Sequence, residues 1–192
     1  MTVNQKEFDN IIQKFDTEDS SFRGDIWHRC RKLLCKGYIY EAYALLLATW
    51  NFARIRFIMT KLDSKTLSDL INETEVLYKN INEKFFIQVD FNNLKLSNNI
   101  KEIYAKFRKI KGIEQTGASK LMALRKPDLF VMWDTGIRKY YKINNKGTPD
   151  NYLNYLKILQ KEFKHIKWDR IDKPFAKAID EYNYYINHVK MH

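Results

Sequence analysis

Glycine and proline, the residues that most often interrupt helices, are scarce in this chain, with 6 glycines and 3 prolines among 192 residues. A chain with so few breakers favours long helices over tight turns. Apolar residues also recur at helical spacing: Phe8, Ile11, Ile12 and Phe15 would share one face of a helix. The sequence therefore predicts an all-α fold with about nine or ten helices.

Cap and break signals predict the helix boundaries. A long, mostly apolar helix is expected from Tyr38 to Leu62, after Gly37 ends the helix before it. The segment from Glu83 to Leu96 is expected to be a loop or short helix, since a lone strand is unstable. The other helices are predicted to begin at Asp19-Ser20-Ser21, Asp63 or Ser64, Ser97, Thr116, Asp134, Asp150 and Pro174.

Length and composition favour one globular unit spanning 1–192, long enough to bury a core. The chain has no apolar run of about 20 residues and no secretory pattern at its start, so we expect a cytoplasmic protein without a membrane span. Cys30 and Cys35 are too few for a disulfide scaffold. No Cys/His spacing predicts a metal site.

The positive charge is unevenly distributed along the chain. The formal net charge is +11, and the segment from Lys101 to Lys142 holds 11 Lys/Arg against 4 Asp/Glu, a net of +7. A basic patch of this kind is typical of nucleic-acid binding. The alternative is a lysine-rich surface without a specific partner, because Lys and Asn are abundant throughout.

The stretch from Lys111 to Tyr141 combines several signals within the basic region. Gly112 and Gly117 flank the tetrapeptide IEQT, and a helix beginning there would direct unpaired N–H groups toward a phosphate. Pro127 ends that helix, and the apolar run DLFVMW leads directly to Asp134. Asp134 is either a helix N-cap or a catalytic carboxylate, and one residue can serve both roles.

This stretch resembles the helix-hairpin-helix DNA glycosylase superfamily. The family pattern L-P-G-h-G-x-[K/S/T]-x-A, where h is apolar, aligns with Ile110 to Ala118 without a gap and places Thr116 at the K/S/T position. The catalytic aspartate of the family lies 18 residues after that position, which is Asp134 here, and the continuation Asp-x-x-[V/I/H] is present as DTGI.

A second match lies upstream, where Asn51-Phe52-Ala53-Arg54-Ile55 resembles the Asn-Ile-Ala-Arg-Ile segment of 8-oxoguanine DNA glycosylases. In that family the segment enters the space left by the flipped base, and its arginine contacts the orphaned partner base. The resemblance would give this role to Arg54, with Asn51 beside it. Together the two matches cover about 40 of the 192 residues.

The resemblance implies a two-lobed helical bundle of the glycosylase type, with a hairpin lobe over 38–145 and a second lobe formed by 1–37 and 146–192. It implies DNA as the partner and excision of a damaged or mispaired base as the activity. Asp134 would be the catalytic residue, and the base would be released by hydrolysis without strand scission. It implies no cofactor, although a monovalent cation at the hairpin is compatible with it. Phosphate contacts are expected from Gly112, Gln115, Thr116, Gly117, Arg138 and Lys139, and a base pocket from Trp50, Phe52 and Trp133.

Two departures from the family pattern keep other functions open. Glu114 replaces the second hairpin glycine, which is unfavourable beside a phosphate, and Thr116 stands where the lyase-active members carry lysine. A non-catalytic nucleic-acid-binding or adaptor protein that retains the fold is therefore one alternative. A glycosylase with lyase activity is another, with Lys120, one turn after Thr116 on the same helix face, as the nucleophile.

Overall fold

The computed structural model describes residues 3–18, 22–51, 54, 63–82, 85–144 and 146–188. Over these residues the chain is all-helical, with no strand, as the sequence predicted. The α-helices are α1 (Gln5–Glu18), α2 (Phe22–Cys35), α3 (Ile39–Trp50), α4 (Ser64–Lys79), α5 (Leu94–Lys109), α6 (Glu114–Arg125), α7 (Thr135–Tyr140), α8 (Pro149–Phe163) and α9 (Phe175–His188). A single 3₁₀ turn, Phe86–Gln88, occupies the segment expected to be a loop or short helix. None of the described helices is long and apolar enough to cross a membrane.

Several predicted helix ends are confirmed. Gly37 has φ +86 and follows α2 in a Schellman arrangement, in which its N–H donates to Leu34 O at 3.0 Å and Tyr38 N–H donates to Leu33 O at 3.0 Å. Asp63 caps α4 by accepting a hydrogen bond from Thr66 N at 2.6 Å. Asp134 caps α7 by accepting from Ile137 N at 2.8 Å.

Three predicted helix starts are wrong because each of these helices begins earlier in the chain. Asn93 caps α5, which leaves Ser97 buried inside the helix. Thr148 caps α8 through a reciprocal capping box with Asn151, one residue before Pro149 at the first helical position. Helix α6 begins at Glu114 without a side-chain cap, so Thr116 lies within its first turn.

The helix predicted from Tyr38 to Leu62 does not continue past Trp50. Helix α3 stops at Trp50, and Asn51 is its C-cap with N–H donating to Leu47 O at 3.1 Å. Residues 52–53 and 55–62 lie outside the described part of the chain.

One continuous apolar core joins the helices. Helix α1 packs on α9, around Phe8, whose ring contacts those of Phe163, Trp168, Phe175 and Tyr182. Helix α2 packs on α3, and α8 packs on α5. The pairing of α1 with α9 follows the expected second lobe, whereas α2 and α8 lie against hairpin-lobe helices, so the two-lobe division stays a prediction.

Candidate active site

A cavity lies where α2, α3, α6 and α9 approach the residues on either side of Asp134. Its volume is about 620 Å³, within the range usual for small-molecule sites. Both catalytic candidates from the sequence, Asp134 and Lys120, line it. Aromatic rings and several ion-paired side chains complete the wall, so the cavity combines flat apolar surfaces with polar groups.

Asp134 is positioned by an extended segment that pairs with side chains in place of a neighbouring strand. Tyr152 and Tyr155 donate their hydroxyl hydrogens to Val131 O at 3.0 Å and to Met132 O at 2.9 Å. Ser119 Oγ on α6 accepts from Trp133 N at 3.2 Å. These buried contacts satisfy a backbone that has no strand partner, and they fix the point at which the chain reaches Asp134.

Each carboxylate oxygen of Asp134 has its own partner. Oδ1 accepts the capping hydrogen bond from Ile137 N, and Oδ2 lies 2.8 Å from His188 Nε2 at the end of α9. The side chain of Asp134 is 32% exposed and that of His188 is 34% exposed. The carboxylate is therefore held in one orientation and remains accessible.

Lys120 reaches the same cavity from α6. Its Nζ donates to Trp50 O at 2.5 Å, at the last turn of α3. Thr116, which takes the lysine position of the family, does not line this cavity, and its carbonyl oxygen accepts from Ser119 Oγ at 2.9 Å. Of these two residues, Lys120 is the one that lines the cavity with Asp134.

Two stacked indoles form one wall of the cavity. Trp27 and Trp50 have ring centroids 5.7 Å apart and an interplanar angle of 18°. Trp50 was predicted for the base pocket, whereas Trp27 was not. Trp133, also predicted, lines the cavity but is 1% exposed, and its Nε1 donates to Gln115 O at 3.1 Å. Phe52, the third predicted pocket residue, lies outside the described residues.

A buried ion-pair network on α9 faces these indoles. Lys177 Nζ lies 2.9 Å from Asp180 Oδ2 and 3.4 Å from Glu181 Oε1, and it lies 5.0 Å from the ring centroid of Trp27. Burial raises the pKa of the Asp180 carboxyl, with Lys177 opposing this effect. Burial by itself would lower the pKa of Lys177, but the two carboxylates raise it overall. Lys177 is therefore a charged group inside the cavity wall.

The network continues to the cavity rim through the segment that precedes α9. Lys173 Nζ bonds both Glu181 and Asp16, and Arg170 Nη1 lies 2.5 Å from Asp16 Oδ2. Trp168 Nε1 donates to Lys173 O at 2.8 Å and ties the segment to the aromatic cluster around Phe8. These contacts hold α1 and α9 together beside the cavity.

The turn between α5 and α6 has the backbone shape expected of a glycine hairpin. Gly112 has φ +98 and Glu114 has φ +50, so both positions that carry glycine in the family are in the left-handed region. Gly117 allows close packing, because a Cβ there would lie 2.9 Å from Ile113 Cγ2. The predicted acidic departure, Glu114, therefore occupies a conformation that favours glycine.

The two predicted residues from the upstream match contact this turn. Asn51 Nδ2 donates to Gly112 O at 2.6 Å, and Arg54 Nη1 forms an ion pair with Glu114 Oε1 at 2.6 Å. Gly112 O is therefore engaged, and Ile110 O and Ile113 O also accept backbone hydrogen bonds. The monovalent cation that the resemblance allows at this turn stays a prediction.

Two of the residues predicted to contact phosphate turn inward. Arg138 is 1% exposed, its guanidinium lies 5.4 Å over the Trp133 ring, and its Nη2 donates to Thr135 Oγ1 at 3.1 Å. In the amide orientation that satisfies its neighbours, Gln115 accepts from Arg138 Nη2 at 3.0 Å and donates to Lys146 O at 3.0 Å. Burial lowers the pKa of Arg138, opposed by Tyr104 and Asp134. Lys139, by contrast, is exposed.

Several basic side chains around the turn form ion pairs or hydrogen bonds within the protein. Arg125 forms a two-pronged ion pair with Glu75, at 2.6 Å for each nitrogen–oxygen pair. Lys106 bonds Glu73 at 2.7 Å, and Arg108 Nη2 donates to Lys146 O at 2.9 Å. The exposed lysines of this region are Lys109, Lys111, Lys139, Lys142 and Lys146.

The sequence did not single out the cavity residues on α9. Lys177, Asp180, Glu181, Tyr184 and His188 fall at i, i+3, i+4, i+7 and i+11, which places them along one face of the helix. The signal available in the sequence was this row of polar residues on one face of a helix whose other residues are largely apolar.

Among the described residues, no group of three or more His, Cys, Asp or Glu side chains is arranged to hold a metal ion. Comparisons of the chain with known protein families, with curated proteins and with solved structures found no match.

Proposed function

We propose that this protein is a DNA base-excision N-glycosylase in which Asp134 is the catalytic carboxylate. The observation that carries the proposal is the position of Asp134 at the wall of a 620 Å³ cavity that is also lined by stacked indoles. An enzyme that removes a base must take it out of the helix and hold it between flat side chains. Trp27 and Trp50 offer a flat surface of that kind.

The chemistry follows from the charge that develops on the sugar. As the bond between C1′ and the base nitrogen breaks, its electron pair leaves with the base and positive charge grows on the sugar. The Asp134 carboxylate stabilises this charge and accepts a proton from water, whose oxygen forms the new bond to C1′. The departing base then takes up a proton, so the overall reaction is hydrolysis without strand scission.

Base release from duplex oligonucleotides tests this proposal. The substrates carry 8-oxoguanine, uracil, alkylated bases or mismatches, and each reaction is resolved with and without alkali. We expect strand breaks only after alkali, and none with Asp134→Asn, while DNA binding stays near the wild-type level. Asp69→Asn, the same change at an exposed position of α4, is the matched control. Equal activity of the Asp134→Asn variant and the wild type would refute the role of Asp134.

A second candidate function, glycosylase with lyase activity, is favoured by Lys120. Its amine reaches the cavity that Asp134 lines. An amine nucleophile attacks C1′, displaces the base and forms a Schiff base with the opened sugar. Borohydride would then trap a covalent protein–DNA adduct, which Lys120→Gln would abolish and the exposed control Lys95→Gln would not.

The third candidate, a binding or adaptor protein without catalysis, is favoured by the ion pair of Glu114 with Arg54 at the hairpin turn. A phosphate-binding protein of this kind would bind DNA with a steep salt dependence and release no base from any substrate. A protein adaptor would show neither property. The same substrate panel, with binding measured at several salt concentrations, separates these outcomes.

A further inference from the structure

We infer that His188 is a positioning residue for Asp134, and this inference rests on the proposed glycosylase function. The pair joins parts of the chain that are 54 residues apart, with His188 on the last turn of α9 and Asp134 at the start of α7. An ionised carboxylate can only accept hydrogen bonds, so the 2.8 Å contact has Nε2–H donating to Oδ2. The imidazole therefore fixes the oxygen that the N-cap bond to Ile137 leaves open.

The imidazole also packs against a neighbouring aromatic ring. The ring of Tyr184, one turn earlier on α9, lies 4.8 Å from the His188 ring at an interplanar angle of 35°. Both residues line the cavity beside Asp134. Packing against this tilted ring restricts rotation of the imidazole, which favours an N–H group directed at the carboxylate.

Gly136 provides the space that this pair needs. A Cβ at position 136 would lie 3.3 Å from Asp134 Oδ1 and 3.3 Å from His188 Cε1. Both separations are tighter than ordinary van der Waals contact, so with a side chain there the carboxylate and the imidazole would have to shift by a few tenths of an ångström. The glycine in the first turn of α7 thus serves close approach, since no left-handed φ requires it.

The functional consequence concerns the orientation of the carboxylate. A carboxylate that stabilises a sugar cation and activates water must meet both within a narrow geometry, and a displacement of about 1 Å can lower a rate by roughly a hundredfold. With one oxygen bound to Ile137 N–H and the other to His188, each retains a lone pair for water. His188 thereby sets the direction from which Asp134 acts without touching the reacting atoms.

Steady-state kinetics of base release test the role of His188. For His188→Ala we expect kcat to fall by about 10- to 100-fold, with KM unchanged because the substrate contacts remain. His188→Gln keeps an N–H donor and should restore most of the rate. His165→Ala removes an exposed histidine elsewhere in the chain and should match the wild type.

Gly136→Ala separates positioning from a general loss of stability. Alanine inside a helix is favoured over glycine by about 1 kcal/mol, so the thermal midpoint should stay level or rise. The kcat of this variant should nevertheless fall, because the added methyl group displaces Asp134 or His188 from its position. A variant that is at least as stable as the wild type but slower cannot owe its defect to unfolding.

Nitrogen NMR of the His188 imidazole provides a readout that does not depend on catalysis. We expect the proton on Nε2 in the wild type and a changed tautomer balance in Asp134→Ala. A wild-type protein that releases no base removes the proposed function, whatever the imidazole spectrum shows. If the wild type is active and His188→Ala matches its kcat, the positioning role alone is overturned.

Discussion

Replacing Glu114 with glycine would test the hairpin turn for stability and for phosphate contact together. Glu114 has φ +50, a region in which a side chain costs about 1 kcal/mol or more relative to glycine. The change also removes the ion pair with Arg54, whose two side chains are 40% and 49% exposed, and exposed pairs contribute at most about 1 kcal/mol. Because the two effects offset, we expect the free energy of unfolding to stay within about 1 kcal/mol of the wild type.

Glu114→Gln separates the backbone effect from the charge effect. Glutamine keeps a side chain at the same positive φ but loses the ion pair, so it gains no relief from strain. We expect its free energy of unfolding to be about 1 kcal/mol lower than that of Glu114→Gly. Denaturant titration of both variants measures the difference directly.

Both variants should bind DNA more tightly if the turn meets a phosphate. Each removes a negative charge from the turn and releases Arg54 from its partner. One further phosphate contact steepens the slope of log K against log salt by about 0.9, which is roughly an eightfold gain in affinity at about 0.1 M salt. Fluorescence anisotropy with a labelled duplex over a salt series measures both quantities.

The control is Glu102→Gln, which removes a carboxylate that is 55% exposed on α5, away from the turn. A change in overall charge should affect all three variants alike, and only a contact at the turn should distinguish the Glu114 variants. If the salt slopes of the Glu114 variants equal that of Glu102→Gln, the turn does not contact phosphate. The assignment of phosphate binding to Gly112 and its neighbours would then be wrong.

Two further predictions concern the core. Tyr155→Phe should lower the free energy of unfolding by about 1–3 kcal/mol, because the buried Met132 carbonyl loses the hydroxyl that donates to it at 2.9 Å; denaturant titration measures this, and an unchanged midpoint would contradict it. Burial raises the pKa of Cys30 to about 11, whereas Cys35 is exposed. Iodoacetamide at about pH 8 should therefore modify Cys35 first, as read by mass spectrometry of the digested protein, and equal labelling of the two thiols would count against the buried position of Cys30.

The sequence predicted those features that depend on short stretches of chain. The aspartate at the end of an apolar run was expected to cap the next helix, and Asp134 does so. Gly37 and Asp63 were found because their signals act within one turn. The caps predicted at Ser97 and Asp150 were wrong because Asn93 and Thr148, a few residues earlier, cap the same helices. Local signals identified the helices, and competition between neighbouring cap residues decided their first residue.

Tertiary packing determined what the sequence did not predict. Arg138 sits on a short helix with charged neighbours, and nothing local distinguishes a solvated arginine from one turned beneath Trp133. Part of its surroundings comes from Gln115 on α6, which approaches it only in the folded chain. Trp27 was missed for the same reason, since its partner Trp50 is supplied by another helix.

The site has two sides that come from distant parts of the chain, which explains why one sequence motif predicted only one of them. The segment from Gly112 to Asp134 supplies the carboxylate, the lysine and the turn, and it is continuous in sequence. The opposite wall comes from α9, whose polar face is spread over 12 positions from Lys177 to His188 and carries no local motif. A helix contributes to a site through residues three or four apart, and that spacing has the same period as ordinary amphipathic packing. The contact between His188 and Asp134 indicates that the polar face of α9 belongs to the site, because it joins the end of α9 to the aspartate for which the motif predicts chemistry.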